Sequence, residues 1–183
     1  MSGRTSEWVA AAVGLLVIAV TVFVAVRDID EAADAWSQMG PLAPGDEIPR
    51  FRASLTDGEV LDNAALEGRV TLLNFWATWC GVCEQQMPNI SSLHERFGGR
   101  GVRVIGVNQD RTADQAGVVD EYVAQRDLRF EFALDTGRMG QAFRVSLIPH
   151  VAIVDREGRL RYVHQGRVGE DTLAEELETL LSE

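Results

Sequence analysis

The stretch Leu73-Asn74-Phe75-Trp76-Ala77-Thr78-Trp79-Cys80-Gly81-Val82-Cys83 decides how the rest of the chain is read. It starts inside an apolar run, Val70 to Ala77, broken only by Thr71 and Asn74. Such a run is expected of a strand covered on both faces of a sheet. It ends at two cysteines, beyond which Met87, Ile90, Leu93, His94 and Phe97 recur at near-helical spacing until Gly98-Gly99 stops the helix. Cys80 therefore stands where a strand hands over to a helix. Free amide hydrogens and the helix dipole favour negative charge there, so the spacing predicts a thiol of lowered pKa at Cys80 and a less exposed, resolving thiol at Cys83.

Two other fates for the pair are weaker. A structural zinc site needs four ligands, and His94, His150 and His164 show no pairing of the zinc-finger type. Two inert buried cysteines would be a rare coincidence at a strand-to-helix junction. These are the only cysteines in the chain, so no framework of structural disulfides exists.

Moving towards the C-terminus, the apolar run Val102 to Val107, helical intervals at Val118, Val119, Tyr122 and Val123, and the run Phe130 to Leu134 form a strand, helix, strand unit. A short helix is expected over Arg138 to Phe143. Val151 to Val154 should pair with Arg159 to His164 across a turn at Glu157-Gly158. The last helix, Asp171 to Leu181, presents Leu173, Leu177, Leu180 and Leu181 to a core and leaves Glu175, Glu176 and Glu178 wet. On the other side of the motif, Phe51 to Leu55 and Glu59 to Leu61 flank Asp57-Gly58, a turn pair that signals a β-hairpin. The order predicts an α/β fold with a mixed central sheet flanked by helices.

Val9 to Val26 is apolar or small throughout except for Thr21, close to the roughly 20 residues that span a bilayer. It is longer than the core of a cleaved signal peptide, although Ala33-Asp34-Ala35 has a cleavage-like spacing. The reading is residues 1–8 in the cytoplasm, a transmembrane anchor at 9–26, a linker at 27–44 punctuated by Gly40-Pro41 and Pro44-Gly45, and a globular domain at 45–183. Arg4 before the span and Asp28, Asp30, Glu31 and Asp34 beyond it place the domain outside the cytoplasm. Trp8 and Trp36 are candidate lipid-boundary aromatics.

Composition removes whole classes of function. With 28 acidic against 17 basic residues the formal charge is -11, which opposes binding to nucleic acid. Every basic side chain is arginine, so Schiff-base and P-loop lysine chemistry are absent.

The quoted stretch resembles the active-site strand and helix start of TlpA/ResA-like thioredoxins. Pro88 falls where that family kinks its active-site helix, and Val145 to Asp155 resembles the loop that carries its cis-proline. The resemblance covers roughly Pro44 to Glu183 and implies a thioredoxin-like fold. It implies a cis Pro149 packed beside Cys80, with Ile148 offering backbone groups to an extended substrate, and extracytoplasmic reduction, including in cytochrome c maturation. Two positions depart from the pattern. Asn74 and Gln86 stand where family members carry carboxylates that move the proton of the resolving thiol, and neither amide is a base at neutral pH. Glu84 is a possible replacement. Val82 replaces the proline common between the cysteines, a change expected to alter the reduction potential.

The chain is thus expected to be a membrane-inserted thiol-disulfide oxidoreductase that draws electrons from a membrane donor and reduces protein disulfides. Cys80 and Cys83 are its catalytic pair, shaped by Trp79, Gly81, Val82, Ile148 and Pro149. The Cys80-Cys83 disulfide is its redox centre, with neither metal nor organic cofactor. A disulfide oxidase or isomerase is the rival within the class, and a copper-binding module using both thiols and a histidine is the rival outside it.

Overall fold

The computed structural model describes residues 14, 16–27 and 42–183. Over 42–183 the elements are β1 (Arg52–Leu55), β2 (Val60–Asp62), β3 (Val70–Trp76), α1 (Gly81–Phe97), β4 (Val102–Asn108), α2 (Gln115–Arg126), β5 (Glu131–Leu134), α3 (Arg138–Ala142), β6 (His150–Val154), β7 (Leu160–Gln165) and α4 (Glu170–Ser182). The strands form one sheet in the order β2-β1-β5-β4-β3-β6-β7. β3, β4 and β5 run parallel, and the other pairings are antiparallel. This is the mixed α/β arrangement expected of a thioredoxin-like fold.

β3 is central, and all of its residues are buried, as its unbroken apolar run requires. Alternation along a strand sends successive side chains to opposite faces. Val70, Leu72 and Trp76 pack with Ile90 and Leu93 of α1, Val119 and Tyr122 of α2, and Leu173 and Leu177 of α4. Leu73 and Phe75 pack on the other face with Phe51 and Leu61 of the hairpin region and with Met139 and Phe143 at α3. Each such large side chain contributes roughly 1.5–3 kcal/mol by leaving water. The strand that leads into Cys80 is therefore clamped from both sides.

The hairpin closes as Asp57-Gly58 predicts: Gly58 has φ 91°, and the Leu55 amide donates to the Glu59 carbonyl at 2.8 Å. Its place in the sheet was not legible in advance. β1 pairs with β5 through Ser54 and Leu134, so the hairpin extends the edge created by the strand, helix, strand unit. On α4 the buried stripe is Leu173, Ala174, Leu177 and Leu180. Glu176 departs from the expected wet face. His164 on β7 faces it, and the ring nitrogen Nε2 lies 2.9 Å from Glu176 Oε2, leaving the Glu176 side chain only 15% exposed.

The described residues 14 and 16–27 belong to a unit of their own. Residues 16–27 are helical and carry exposed Leu16, Val17, Ile18 and Phe23. Among the described residues no helix is long and apolar enough to cross a membrane. Much of the expected span at 9–26, residues 1–8, Trp8, Trp36 and most of the linker lie outside the described residues.

Candidate active site

The sheet places the CxxC pair at the C-terminal end of β3. Cys80 is the N-cap of α1 in extended conformation, and its sulfur accepts from the Cys83 amide at 3.2 Å. Cys80 and Cys83 are joined as a disulfide. Cys80 keeps 9% exposure while Cys83 is fully buried. An incoming nucleophile or substrate sulfur therefore reaches Cys80 and not its partner. Once reduced, Cys80 lies on unpaired amides at the positive end of a 17-residue helix, which favours its thiolate.

The loop between β3 and α1 is held from across the sheet. Asp110, itself 3% exposed, accepts from the Thr78 amide at 2.9 Å and from the Thr78 hydroxyl at 3.0 Å. The same carboxylate accepts from Asn108 Nδ2 at 2.7 Å, and Asn108 Oδ1 accepts from Gln115 Nε2 at 2.9 Å. The Gln109 amide donates to the Trp76 carbonyl at 2.7 Å. These polar residues at the end of β4 carry no motif, and sequence reasoning passed over them. An acidic residue directly after an apolar strand was the sole available signal.

Trp76 is fully buried, with ring centroids 4.6 Å from Tyr122 and 5.8 Å from Phe132. Trp79 is 71% exposed, and Val82 and Leu147 are also exposed apolar residues. Gly81 is exposed in the first turn of α1. The Ile148-Pro149 peptide is cis, as the resemblance implied. Ile148 packs partly against the cluster that holds both cysteines, and the Pro149 carbonyl accepts from the Gly166 amide at 2.8 Å. His150 follows at the start of β6, buried, with its ring edge-on to Phe75 at 5.4 Å. Burial, reinforced by the nearby His164, pushes the His150 imidazole down to about 4, so it is neutral at pH 7.

Glu84 does not share the face of Cys83. The next residue along a helix is turned by about 100°, and the Glu84 carboxylate pairs outward with Arg126 of α2, whose guanidinium lies over the Tyr122 ring at 3.8 Å. Gln86 is fully buried, and its Oε1 accepts from the Val168 amide at 3.1 Å. Asn74 is also fully buried, with Nδ2 at 3.9 Å from Met87 Sδ. No group of three or more His, Cys, Asp or Glu side chains that could hold a metal ion occurs among the described residues.

Comparison with known proteins agrees with this geometry. Residues 43–181 match the family model described as Redoxin. The thiol-disulfide oxidoreductase ResA of a Bacillus cereus strain is 33% identical over 138 residues, which is 75% of this chain and 76% of that protein. Among solved structures, dsbF of MTB, seen in mixed oxidized and reduced forms, aligns with a TM-score of 0.63 at 29% identity, over 71% of this chain and 94% of its own. StoA from Bacillus subtilis shares the fold, with a TM-score of 0.61 at 22% identity over 76% of this chain and 100% of its own.

Proposed function

The chain belongs to the Redoxin family and is a thiol-disulfide oxidoreductase whose redox pair is Cys80 and Cys83, and from that premise we propose that it works outside the cytoplasm as a reductase of protein disulfides. The observation that carries the assignment of roles is the asymmetry of the pair, one sulfur at the surface on a helix N-terminus and the other sealed beneath it. In the dithiol form the Cys80 thiolate attacks a substrate sulfur, the substrate disulfide breaks, and one substrate thiolate leaves. Cys83 then attacks Cys80 in the mixed disulfide, releases the reduced substrate and regenerates the Cys80-Cys83 bond.

Trp79, Val82 and Leu147 give the substrate an apolar landing surface beside Cys80. Gly81, exposed in the first turn of α1, leaves the approach to Cys80 free of a side chain, and the Ile148 backbone beside Pro149 takes an extended substrate segment. No cofactor is needed, since the Cys80-Cys83 dithiol itself carries the electron pair. A membrane donor recharges it, and cytochrome-type proteins are candidate substrates. The anchor is supported by the apolar run Val9 to Val26, and the outside location by the acidic residues that follow it.

Replacement of each cysteine tests these roles. Cys80→Ser should abolish reduction of a disulfide-bonded protein, and Cys83→Ser should accumulate the substrate as a mixed disulfide on Cys80. A trap that forms equally well without Cys80 would refute the assignment. The direction of electron flow is read from the reduction potential against glutathione, and a strongly oxidising value overturns the reductase reading in favour of an oxidase.

A further inference from the structure

The buried faces that enclose Cys83 hold two amides whose hydrogen-bonding capacity is unspent. On α1, Cys83, Gln86 and Met87 stand at intervals of three and four residues and so share one buried face. Asn74, on the face of β3 turned to that helix, reaches Met87 Sδ through its Nδ2, which leaves Asn74 Oδ1 without a partner. Gln86 is pinned at Oε1 by the Val168 amide, which leaves Gln86 Nε2 without a partner. All three side chains have zero exposure. One acceptor and one donor are thus left on the same buried faces of β3 and α1 that enclose Cys83, whose sulfur, in the disulfide, has no hydrogen to give and is a poor acceptor.

We propose that Asn74 and Gln86 are positioning residues reserved for the reduced form of Cys83, Gln86 Nε2 donating to its thiolate and Asn74 Oδ1 accepting from its thiol. The proposal rests on the reading that the pair cycles through disulfide exchange. When a dithiol reductant attacks, its thiolate bonds to Cys80 Sγ, the Cys80-Cys83 bond breaks, and the electron pair leaves on Cys83. That thiolate takes the Gln86 hydrogen bond. It then gains a proton released by the second thiol of the reductant, and the new S–H donates to Asn74. The second reductant sulfur attacks the mixed disulfide, leaves Cys80 as a thiolate, and the reductant departs as a disulfide carrying two electrons fewer. Closing the Cys80-Cys83 bond strands both amides in the core. A buried polar group without a partner is costly, so the pair of amides biases the protein towards the dithiol.

The test is the equilibrium with a glutathione buffer at fixed pH, measured on the full chain and on Asn74→Leu and Gln86→Met. Each variant should favour the disulfide about tenfold more than the native chain, a fall of about 30 mV in reduction potential. The bond from Val168 that Gln86→Met removes is lost in both redox states and cancels. A purely structural role would lower the stability of both states and leave the potential where it was. As a second readout, the infrared S–H band of Cys83 in Cys80→Ser protein should lie at a hydrogen-bonded frequency. Unchanged potentials in folded variants overturn the proposal, as does a free-thiol band with Asn74 intact should Asn74→Leu not fold. Absence of a Cys80 mixed disulfide in Cys83→Ser protein instead overturns the reading beneath it.

Discussion

Thr78 hangs from Asp110 by two hydrogen bonds, one to its amide and one to its hydroxyl, at 2.9 and 3.0 Å. The two residues are 32 apart in the chain, yet this pairing ties the loop that leads into Cys80, the N-cap of α1, to the segment after β4. Asp110→Ala removes the acceptor for the Thr78 amide, the Thr78 hydroxyl and Asn108 Nδ2 together. Unpaired buried groups cost about 1–3 kcal/mol each, softened here where the loop can reach water. Urea unfolding of the disulfide form should show a loss of about 2–3 kcal/mol. Alkylation of reduced Cys80 should slow in the same variant, because the thiolate is less well held on the helix terminus. An unchanged alkylation rate would separate Asp110 from the chemistry.

His150 makes stability depend on pH. Its folded pKa, about 4, lies below the ordinary 6.5 because burial disfavours the charged ring. The unfolded chain therefore binds the proton first as pH falls. The contribution of the neutral ring is complete above about pH 6.5 and is lost as the pH falls towards 4, with a slope of at most about 1.4 kcal/mol per pH unit and a total of roughly 3 kcal/mol. Denaturation of His150→Leu between pH 7 and pH 4 should show this part of the slope abolished. An identical slope in the variant would exclude His150 as its source.

Gly106 sits in β4 opposite Asn74, where a side chain has no room. A Cβ there would lie 2.8 Å from the Phe132 ring and 3.1 Å from Trp76 Nε1. Trp76 is in turn locked against Tyr122, so the ring cannot simply retreat. Gly106→Ala should destabilise the domain by about 1–3 kcal/mol, the range for overpacking, read as a lowered Tm. A neutral substitution would mean that the aromatic cluster is looser than its geometry indicates.

Trp79 separates partner recognition from folding. With 71% of its surface exposed, Trp79→Ala should change stability by no more than about 0.5 kcal/mol. Exposed aromatics of this kind often anchor protein partners. The variant should lose about tenfold in kcat/KM towards a protein disulfide and keep its rate with a small disulfide such as oxidised glutathione. Equal losses on both substrates would assign Trp79 to the reactivity of Cys80.

Glu84 offers the opposite case, a carboxylate one residue from Cys83 that is spent on Arg126. Glu84→Gln should leave turnover within about twofold and cost no more than about 1 kcal/mol, the usual worth of an exposed ion pair. A large fall in turnover with a shifted pH profile would restore Glu84 as the proton acceptor of Cys83.

What could be read from the chain before folding is local. The strand Val70–Trp76, its handover at Cys80 and the buried face of α1 follow from side-chain alternation, helical spacing and capping, all of which act within a few residues. The surroundings of the thiols were decided only by the tertiary structure. Asp110 on Thr78 and Val168 on Gln86 join positions 32 and 82 residues apart, and no periodicity records such pairs. The family resemblance marked Asn74 and Gln86 as positions without the expected carboxylates, whereas the fold shows two sealed amides on the buried faces that enclose Cys83, with one free acceptor and one free donor. Cys80 and Cys83 were thus recognisable from spacing, because helix termini are local. Their tuning was not, because burial is set by everything the chain brings to one end of its sheet.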